Sequence, residues 1–582
     1  MRDPDAFPAT VDLLQNRDEE VEIEGARKEK SGAYGLYVRS FDDRVTPQFG
    51  PAVGSARGLL QLVLHAHLPF VRHPEHAYAL EENWLYEAVV DTYLPLLAML
   101  ERLARDGVPH AITISLSPTL CSMLEDPLLQ SRTSAYLDRL LVLCEREQVR
   151  TRGDAQLHDL ALFYTQHYRA LHDLFHAYGG RLIPAFRRLQ DAGQVELITT
   201  AFTHPFLPFV AEPAVRKAHI ALAGQQHTAL FGKPPKGLWL PECAYEENLA
   251  PLLAAQGVEY TFLESHGILG TAPCPPLGVD APVYHPAGVT FFGRDPASSR
   301  QVWSATDGYP GDPWYRDFYR DVGFDLPLAE VLPFIHPDGI RVQTGLKYHR
   351  VTGPHVDLAH KALYQPDIAR QRALEHARHF VHSRLDHARQ HAAGAEGRPA
   401  VITALYDAEL FGHWWFEGPW FLEQVCRELA AHANELVLRT PSTTIQHAPR
   451  FVARPVASTW GAGGYAETWL NGTNDWVYPL SQQAEKTLLH WVRAQQWRTD
   501  PLAERVLQQM ARELFLLQGS DWAFLMTTGT SAEYAAQRVQ THHQRFLQLA
   551  AFFSQGGLDE IWLQDVEKKD FLLQKLDLDI FL

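Results

Sequence analysis

Two acidic residues stand directly after apolar stretches that have the character of buried strands. Glu242 follows the segment GLWLP and Asp407 follows ITALY, so each is the first acid after its stretch. A carboxylate in such a place is partly desolvated, which costs free energy unless the group is paired or used. One such acid alone could cap a helix or form an ion pair. Two of them, with tryptophan close to both, favour a catalytic pair.

Paired carboxylates beside aromatic residues are suited to glycoside chemistry. One carboxylate attacks the anomeric carbon, while the other donates a proton to the leaving oxygen and later takes one from the acceptor. Tryptophan rings can stack on the apolar faces of sugar rings, although core packing is the ordinary role of any single one. The tryptophans placed near glycine, proline or strand ends are Trp239, Trp303, Trp314, Trp414, Trp415, Trp420, Trp460, Trp469 and Trp522.

His65 and His67 flank Ala66 in the segment HAHLP. Residues two apart on a strand point to opposite faces, so both could reach one metal only where the strand bends. Zinc or manganese would also need an acid, and the HAHLP segment contains none. We therefore expect no metal and no cofactor. We expect these histidines to hydrogen-bond sugar hydroxyls or to hold a carboxylate, with a purely structural role as the alternative.

The elements that position these residues are six apolar segments of strand length and a seventh, at Val289, that matches the pattern less closely. They begin at Leu59, His110, Val195, Lys236, Glu259, Val289 and Ala400. Helical segments such as 84–105 and 214–231 lie between them, which implies right-handed βαβ units and a mainly parallel sheet. Six or seven such strands indicate a barrel or a distorted barrel, whose ligands bind at the carboxyl ends of the strands. Polar residues at the other strand ends are His65, His67, Ser115, Ser117, His204 and Glu409.

Other regions depart from this strand pattern. Residues 1–57 include a charge run with few apolar anchors and predict a partly disordered arm. Within a catalytic barrel at 58–450, residues from about 120 to 190 predict a helical insertion. A region at about 268–325, rich in glycine and proline, predicts a functional lid.

The last part of the chain, residues 451–582, has helical periodicity. Leu502, Val506, Met510 and Leu514 recur at four-residue intervals, which places them on one face of a helix. We expect a C-terminal helical domain that packs on the barrel.

Composition restricts the partners and the compartment. The formal net charge of −17 disfavours nucleic acid as a partner, but it does not hinder a neutral polysaccharide. Five cysteines without a CxxC pair favour a reducing cytoplasm. No apolar run approaches the roughly 20 residues that span a bilayer, so we expect no membrane association. The N-terminus lacks the apolar core of a signal peptide.

Six stretches together resemble glycoside hydrolase family 57, and within it the α-1,4-glucan branching enzymes. They are LHAHLPF (64–70), FTHPFLP (202–208), GLWLPECAY (237–245), ALYDAELFGHWWFEGPWF (404–421), STWGAGGYAETWLN (458–471) and GSDWAFLM (519–526). The resemblance implies an α/β fold, a distorted (β/α)7 barrel with a helical insertion and a C-terminal α-helical domain. This agrees with the pattern of strands and helices.

The resemblance also implies roles for individual residues. It makes Glu242 the nucleophile and Asp407 the acid/base, and it places His65 and His204 beside the scissile bond. Further matches are to groove-lining tryptophans, to a C-terminal element that closes the cleft, and to a tyrosine at the tip of a flexible loop, which we assign to Tyr284. From the resemblance and the residue pattern together, the expected glucan-binding residues are His65, His67, His204, Tyr284, Trp314, Trp414, Trp460, Trp469, Asp521 and Trp522.

The activity implied is transfer of an α-1,4-glucan chain, from amylose or glycogen, to a 6-hydroxyl with net retention. Retention requires the two carboxyl groups to lie roughly 5–5.5 Å apart. The pKa of Asp407 must be raised, which burial and the neighbouring Glu242 would achieve. The alternatives are an α-amylase or 4-α-glucanotransferase on the same scaffold, and a non-catalytic glucan-binding protein. We expect a monomer or a small homo-oligomer.

Overall fold

The computed structural model describes residues 56–304, 307–394, 398–446, 451–573 and 576–582. The predicted N-terminal arm, residues 1–57, lies outside the described residues except for its last two positions.

The strands form one parallel barrel with small additions. They are β1 (Gly58–Ala66), β2 (Ile112–Leu116), β3 (Val195–Thr200), β4 (Leu238–Trp239), β5 (Tyr260–Leu263), β6 (Val283–Tyr284), β7 (Thr290–Gly293), β8 (Ala400–Asp407), β9 (Leu436–Leu438) and β10 (Phe451–Val452). One sheet runs β4-β3-β2-β1-β8, and a second contains β5 paired with β7. Parallel bridges from Gly237 to Tyr260 and from Arg294 to Thr403 join the two sheets on both sides. Seven parallel strands therefore follow one another around a ring, which confirms the predicted fold.

These strands are recognisable in the sequence because the barrel buries them on both faces. All nine residues of β1 are buried, as are all five of β2. A parallel strand covered on both sides reads as a continuous apolar run rather than as an alternating pattern. The remaining strands extend the edges: β6 and β10 continue the sheet beyond β7, and β9 pairs with the start of β1.

Helices surround the barrel and form the C-terminal part of the described chain. Before and between the strands lie α1 (Asn83–Glu87), α2 (Leu94–Arg105), α3 (Pro118–Leu124), α4 (Pro127–Arg150), α5 (Ala155–Ala177), α6 (Ile183–Asp191), α7 (Pro213–Phe231), α8 (Leu249–Ala255), α9 (Ser265–Leu269), α10 (Pro296–Trp303), α11 (Val322–Asp325), α12 (Leu328–Val331), α13 (Pro366–Gly394), α14 (Gly418–Ala431) and α15 (Pro441–Ile445). The last five are α16 (Val477–Ala494), α17 (Pro501–Leu517), α18 (Ser520–Thr528), α19 (Ala532–Gln555) and α20 (Glu560–Lys569). No helix of the described residues combines the length and the apolar character that crossing a membrane requires.

The region at 268–325 differs from the predicted lid. It contains β7, which is a strand of the barrel, together with β6 and α10. The apolar segment that begins at Val289 predicted β7, whereas the two-residue strand β6 is too short to give a pattern among the surrounding glycines and prolines. Part of this region therefore belongs to the barrel itself.

Strand register determines which residues meet at the end of the barrel. His65, near the end of β1, lies opposite Asp407 at the end of β8 and opposite Ser115 on β2. Neighbouring parallel strands thus bring residues that are far apart in the chain to one level.

Candidate active site

The carboxyl ends of four strands of one sheet supply the centre of the site. Asp407 is the last residue of β8, and His65 lies at the end of β1. His204 and Glu242 follow β3 and β4 within a few residues. This is the edge at which barrels of this type bind ligands.

The backbone bends sharply at two of these positions. His204 has φ 56°, Glu242 has φ 59° and the following Cys243 has φ 48°. A residue with a side chain in this left-handed region costs of order 1–3 kcal/mol, and such residues cluster at functional sites. The surrounding barrel holds Glu242 in a conformation that the local sequence would not choose.

Two donors hold the carboxylate of Glu242. The indole Nε1–H of Trp460 donates to Oε2 at 3.0 Å, and the hydroxyl of Ser520 donates to Oε1 at 2.8 Å. Burial raises the pKa of Glu242 to about 6, although both hydrogen bonds act in the opposite direction. Glu242 is therefore mainly ionised at neutral pH, as a nucleophile requires.

Asp407 has the complementary protonation state. Burial, followed by the charges of Glu409 and Glu242, raises the pKa of Asp407 to about 8. This confirms the predicted direction. Glu409 accepts hydrogen bonds from the Tyr93 hydroxyl and from the backbone N–H of His67. At neutral pH the site therefore holds one ionised and one protonated carboxyl group, which is the arrangement of a nucleophile with a general acid.

A chain of buried polar groups lies behind Glu242. Nδ1 of His65 is 3.1 Å from the Ser115 hydroxyl, and Nε2 of His65 is 3.0 Å from Nε2 of His204. Nδ1 of His204 is 2.9 Å from the hydroxyl of Ser520. Burial lowers the pKa of both histidines, so both rings are neutral. The ring of His65 also stacks on Trp239 with centroids 4.6 Å apart.

His67 carries the opposite electrostatic character. Its Nε2 lies 3.0 Å from a carboxylate oxygen of Asp521. Burial alone would lower the pKa of His67, but the charge of Asp521 and the hydrogen bond to it outweigh burial, and the pKa is raised. An imidazolium beside Asp521 thus lies next to the two carboxyl groups.

The acid that the HAHLP segment lacks is supplied by Asp521, far along the chain. Potential ligand atoms of His67, His204 and Asp521 lie within 4.8 Å of one another. Both ring nitrogens of His204, however, already have protein partners in His65 and Ser520. The chemistry of this group is that of hydrogen bonds and an ion pair, and we assign it no metal.

The predicted aromatic residues occupy different environments. Trp460 contacts Glu242 directly, as described. Trp414, in the turn after Asp407, is 47% exposed, and its ring stacks on Phe318 with centroids 4.3 Å apart. Trp314 is half-buried beneath the guanidinium of Arg350, at 4.1 Å from the ring centroid. Trp414 therefore offers an exposed aromatic surface, while Trp460 is half-buried beside Glu242.

Three predicted glucan contacts are corrected by the structure. Trp469 and Trp522 are each only 2% exposed. Trp469 packs on Phe206, and the indole of Trp522 donates to the carbonyl of Leu516, so neither ring presents a face to a sugar. Tyr284 lies on β6, paired with strands on both sides, and not at the tip of a loop.

Sequence reasoning assigned no role to Ser520 and noted Glu409 only as an acid beside Asp407. Ser520 lies in the stretch GSDW, which was singled out for its Asp and Trp. A serine where a helix begins is ordinarily interpreted as a cap, so residue type alone could not reveal its contact with Glu242, 278 residues away.

A parallel barrel that holds an ionised and a protonated carboxyl group at its strand ends has the arrangement that glycoside chemistry uses. The family model of glycosyl hydrolase family 57 matches residues 61–307, and the model for the C-terminal region of 1,4-α-glucan branching enzymes matches residues 481–581. The chain belongs to glycosyl hydrolase family 57.

Among the similar proteins, some are named branching enzymes and one is named an α-amylase. The 1,4-α-glucan branching enzyme TK1436 of Thermococcus kodakarensis is 33% identical, over 88% of this chain and 77% of that protein. The crystal structure of a GH57-type branching enzyme from Pyrococcus horikoshii is 32% identical with a TM-score of 0.81, covering 90% of this chain and 97% of that one. The crystal structure of the α-amylase AmyC from Thermotoga maritima is 40% identical with a TM-score of 0.84, covering 90% and 99%.

Proposed function

We propose that this chain is a 1,4-α-glucan branching enzyme with a retaining double-displacement mechanism. One observation carries the proposal most directly. The C-terminal region that matches the branching-enzyme model also contributes Ser520 and Asp521 to the site of the two carboxyl groups. The region that matches the family model named for branching enzymes therefore forms part of the site.

In the first half of the reaction, Glu242 attacks C1 of a glucose unit within an α-1,4-glucan. Asp407, protonated at neutral pH, donates its proton to the departing 4-oxygen. The configuration at C1 inverts, and a glucosyl ester forms on Glu242 while the freed chain end leaves.

In the second half, a 6-hydroxyl of an acceptor chain replaces the freed end. Esterification removes the negative charge of Glu242, which lowers the pKa of Asp407 because one of the charges that raised it has gone. Asp407 then takes the proton of the 6-hydroxyl as its oxygen attacks C1. The second inversion gives an α-1,6 branch with net retention.

The substrates that fit this reaction are amylose and glycogen, as donor and as acceptor, in glycogen-type synthesis. The exposed ring of Trp414 and the half-buried ring of Trp460 beside Glu242 suit stacking on glucose rings. The described cysteines are all free, and four of them are buried, which fits action in the reducing cytoplasm. We further propose action as a monomer or a small homo-oligomer.

A second candidate, α-amylase activity, is favoured by the resemblance to the Thermotoga maritima protein. Hydrolysis and branching share the first step and differ in whether water or a sugar hydroxyl attacks the ester. The same carboxyl groups would serve both reactions, and also a 4-α-glucanotransferase.

Incubation of the protein with amylose separates these activities. We expect the iodine colour to fall, few new reducing ends to appear, and new α-1,6 linkages to be detected by NMR. Reducing ends that increase in proportion to the bonds cleaved would contradict branching and establish an amylase. Disproportionation without an α-1,6 signal would establish a 4-α-glucanotransferase, and no reaction would establish a binding protein.

A further inference from the structure

We propose that Ser520 is a positioning residue for the nucleophile, and that Ser115, His65 and His204 orient it through a one-directional chain of hydrogen bonds. The proposal rests on the assignment of Glu242 as the nucleophile. It adds a function for the C-terminal region: this region supplies the hydroxyl that orients the attacking carboxylate.

The direction of the chain follows from the acceptor at its end. An ionised carboxylate only accepts hydrogen bonds, so the Ser520 hydroxyl, 2.8 Å away, donates to Glu242. The Ser520 oxygen then accepts from Nδ1–H of His204 at 2.9 Å. A neutral His204 that carries its proton on Nδ1 has a bare Nε2.

The same logic continues through the second histidine. The contact of 3.0 Å between Nε2 of His204 and Nε2 of His65 has room for one proton, which must then lie on His65. Neutral His65 therefore has a bare Nδ1, which accepts from the Ser115 hydroxyl at 3.1 Å. All four hydrogen bonds point toward Glu242. Hydrogen bonds in such a chain polarise one another and strengthen the last one.

Backbone contacts fix Ser520 in this position independently of its side chain. The Ser520 N–H donates to the carbonyl of His204 at 2.9 Å, and Gly519 forms an antiparallel bridge with Pro205. The start of α18 is therefore attached to the loop that carries His204. These backbone contacts hold the Ser520 hydroxyl between His204 and Glu242.

The consequence for the reaction is orientation of both carboxylate oxygens. Ser520 binds Oε1 while Trp460 binds Oε2, so the plane of the carboxylate is set by one donor from the loop before α16 and one from α18. Orientation of a reacting group in this way contributes to rate because the attack geometry is already in place. Both donors also favour the ionised form of Glu242.

The titratable groups that face Glu242 come from both parts of the molecule. His67, His204 and Asp407 belong to the barrel, and Asp521 and Tyr478 to the C-terminal region. None of these groups is removed by a change at Ser520, so a shift of the acidic limb of the pH profile reports on the hydroxyl itself.

The test compares Ser520→Ala with Ser520→Thr across a pH series, with the initial rate of total bond cleavage in amylose as the readout. For Ser520→Ala we expect kcat to fall roughly 10- to 100-fold, because a hydrogen bond to a charged group is lost, with KM unchanged. The acidic limb should move to higher pH, because loss of the donor raises the pKa of Glu242. Ser520→Thr, which keeps the hydroxyl, should restore both kcat and the limb.

Thr528→Ala on the same helix is the matched control, because within the part of the chain that the structure describes its hydroxyl bonds to Phe524, Leu525 and Thr530 of its own segment. We expect this variant to retain the wild-type rate and pH profile. An unchanged rate and limb in Ser520→Ala would overturn the proposal. A loss in Ser520→Ala that Ser520→Thr does not restore, with the limb unmoved, would also overturn it.

The proton positions provide a readout that does not depend on activity. The chain predicts Nδ1–H on His204 and Nε2–H on His65, which 15N shifts of labelled histidines or a neutron structure would reveal; the opposite tautomers would overturn the direction. Since total cleavage is measured, hydrolysis in place of branching would refute the proposed function and leave this inference standing. Conversely, loss of activity in Glu242→Asp together with a wild-type rate and pH profile in Ser520→Ala would refute this inference and leave the proposed function standing.

Discussion

The barrel and the C-terminal helical region contribute to the same site in different ways. The barrel provides Glu242 and Asp407, whose charges change during the proposed reaction. The C-terminal region provides Ser520 and Asp521, whose contacts hold Glu242 and His67 in place. The groups that react lie at or just after strand ends, and α18 of the C-terminal region supplies two of the groups that orient them. A barrel of this type can thus be adapted by the part that packs on it, without change to the reacting pair.

Removal of either reacting group should have the largest effect. We expect Glu242→Gln and Asp407→Asn each to lose at least ~10³-fold in rate, because covalent and acid/base catalysis fail. Initial rates on amylose measure this. Glu247→Gln, at an exposed position paired with Arg454, is the control and should retain full activity. Near-normal activity in either variant would refute the assignment of Glu242 as the nucleophile and Asp407 as the acid/base.

Asp521→Asn tests the holding role of the C-terminal region. Loss of the carboxylate removes the charge that keeps the pKa of His67 raised, and we expect kcat/KM to fall roughly 10- to 100-fold as a charged contact is lost. Asp565→Asn, an exposed acid paired with Lys569 on α20, should behave as wild type. Equal rates for both variants would mean that the ion pair between the two regions has no part in function. Treatment with EDTA should leave the wild-type rate unchanged.

Trp460→Phe sharpens the comparison because it removes one donor and keeps an aromatic ring. We expect kcat to fall roughly tenfold, since Oε2 of Glu242 loses its hydrogen bond, and the acidic limb to move to higher pH. The same substitution at Trp469, whose buried Nε1 has no hydrogen-bond partner among the described residues, should lower the melting temperature and leave the acidic limb in place. An acidic limb that moves in Trp469→Phe and not in Trp460→Phe would contradict the geometry.

Trp414→Ala should give the smallest effect. Its half-exposed ring is expected to stack on a glucose unit, so KM for amylose should rise several-fold with kcat and the melting temperature near wild type. Steady-state kinetics on amylose provide the measurement. A large loss of kcat with an unchanged KM would place Trp414 in the reacting centre instead of the glucan groove.

The barrel and its two reacting carboxyl groups could be predicted because both correspond to local sequence patterns. Parallel strands buried on two faces appear as continuous apolar runs, and Glu242 and Asp407 stand at their ends. The burial of Trp469 and Trp522 could not be predicted in this way. Trp469 packs on Phe206, which is remote in sequence, and Trp522 is buried by the way its own helix packs; the residues next to each tryptophan in the sequence do not indicate this burial. The contact of Ser520 with Glu242 was unpredictable for the same reason.

The central claim is that Glu242 forms the covalent intermediate while Asp407 serves as acid and then base. An α-glucosyl or α-maltosyl fluoride carries a leaving group that departs without acid assistance, so the first step remains possible in Asp407→Asn, whereas the second step lacks its base. Mass spectrometry of this variant after reaction should show a sugar adduct on the peptide that contains Glu242. An adduct on Glu409 or another carboxylate, or no adduct while the fluoride is consumed, would contradict the account.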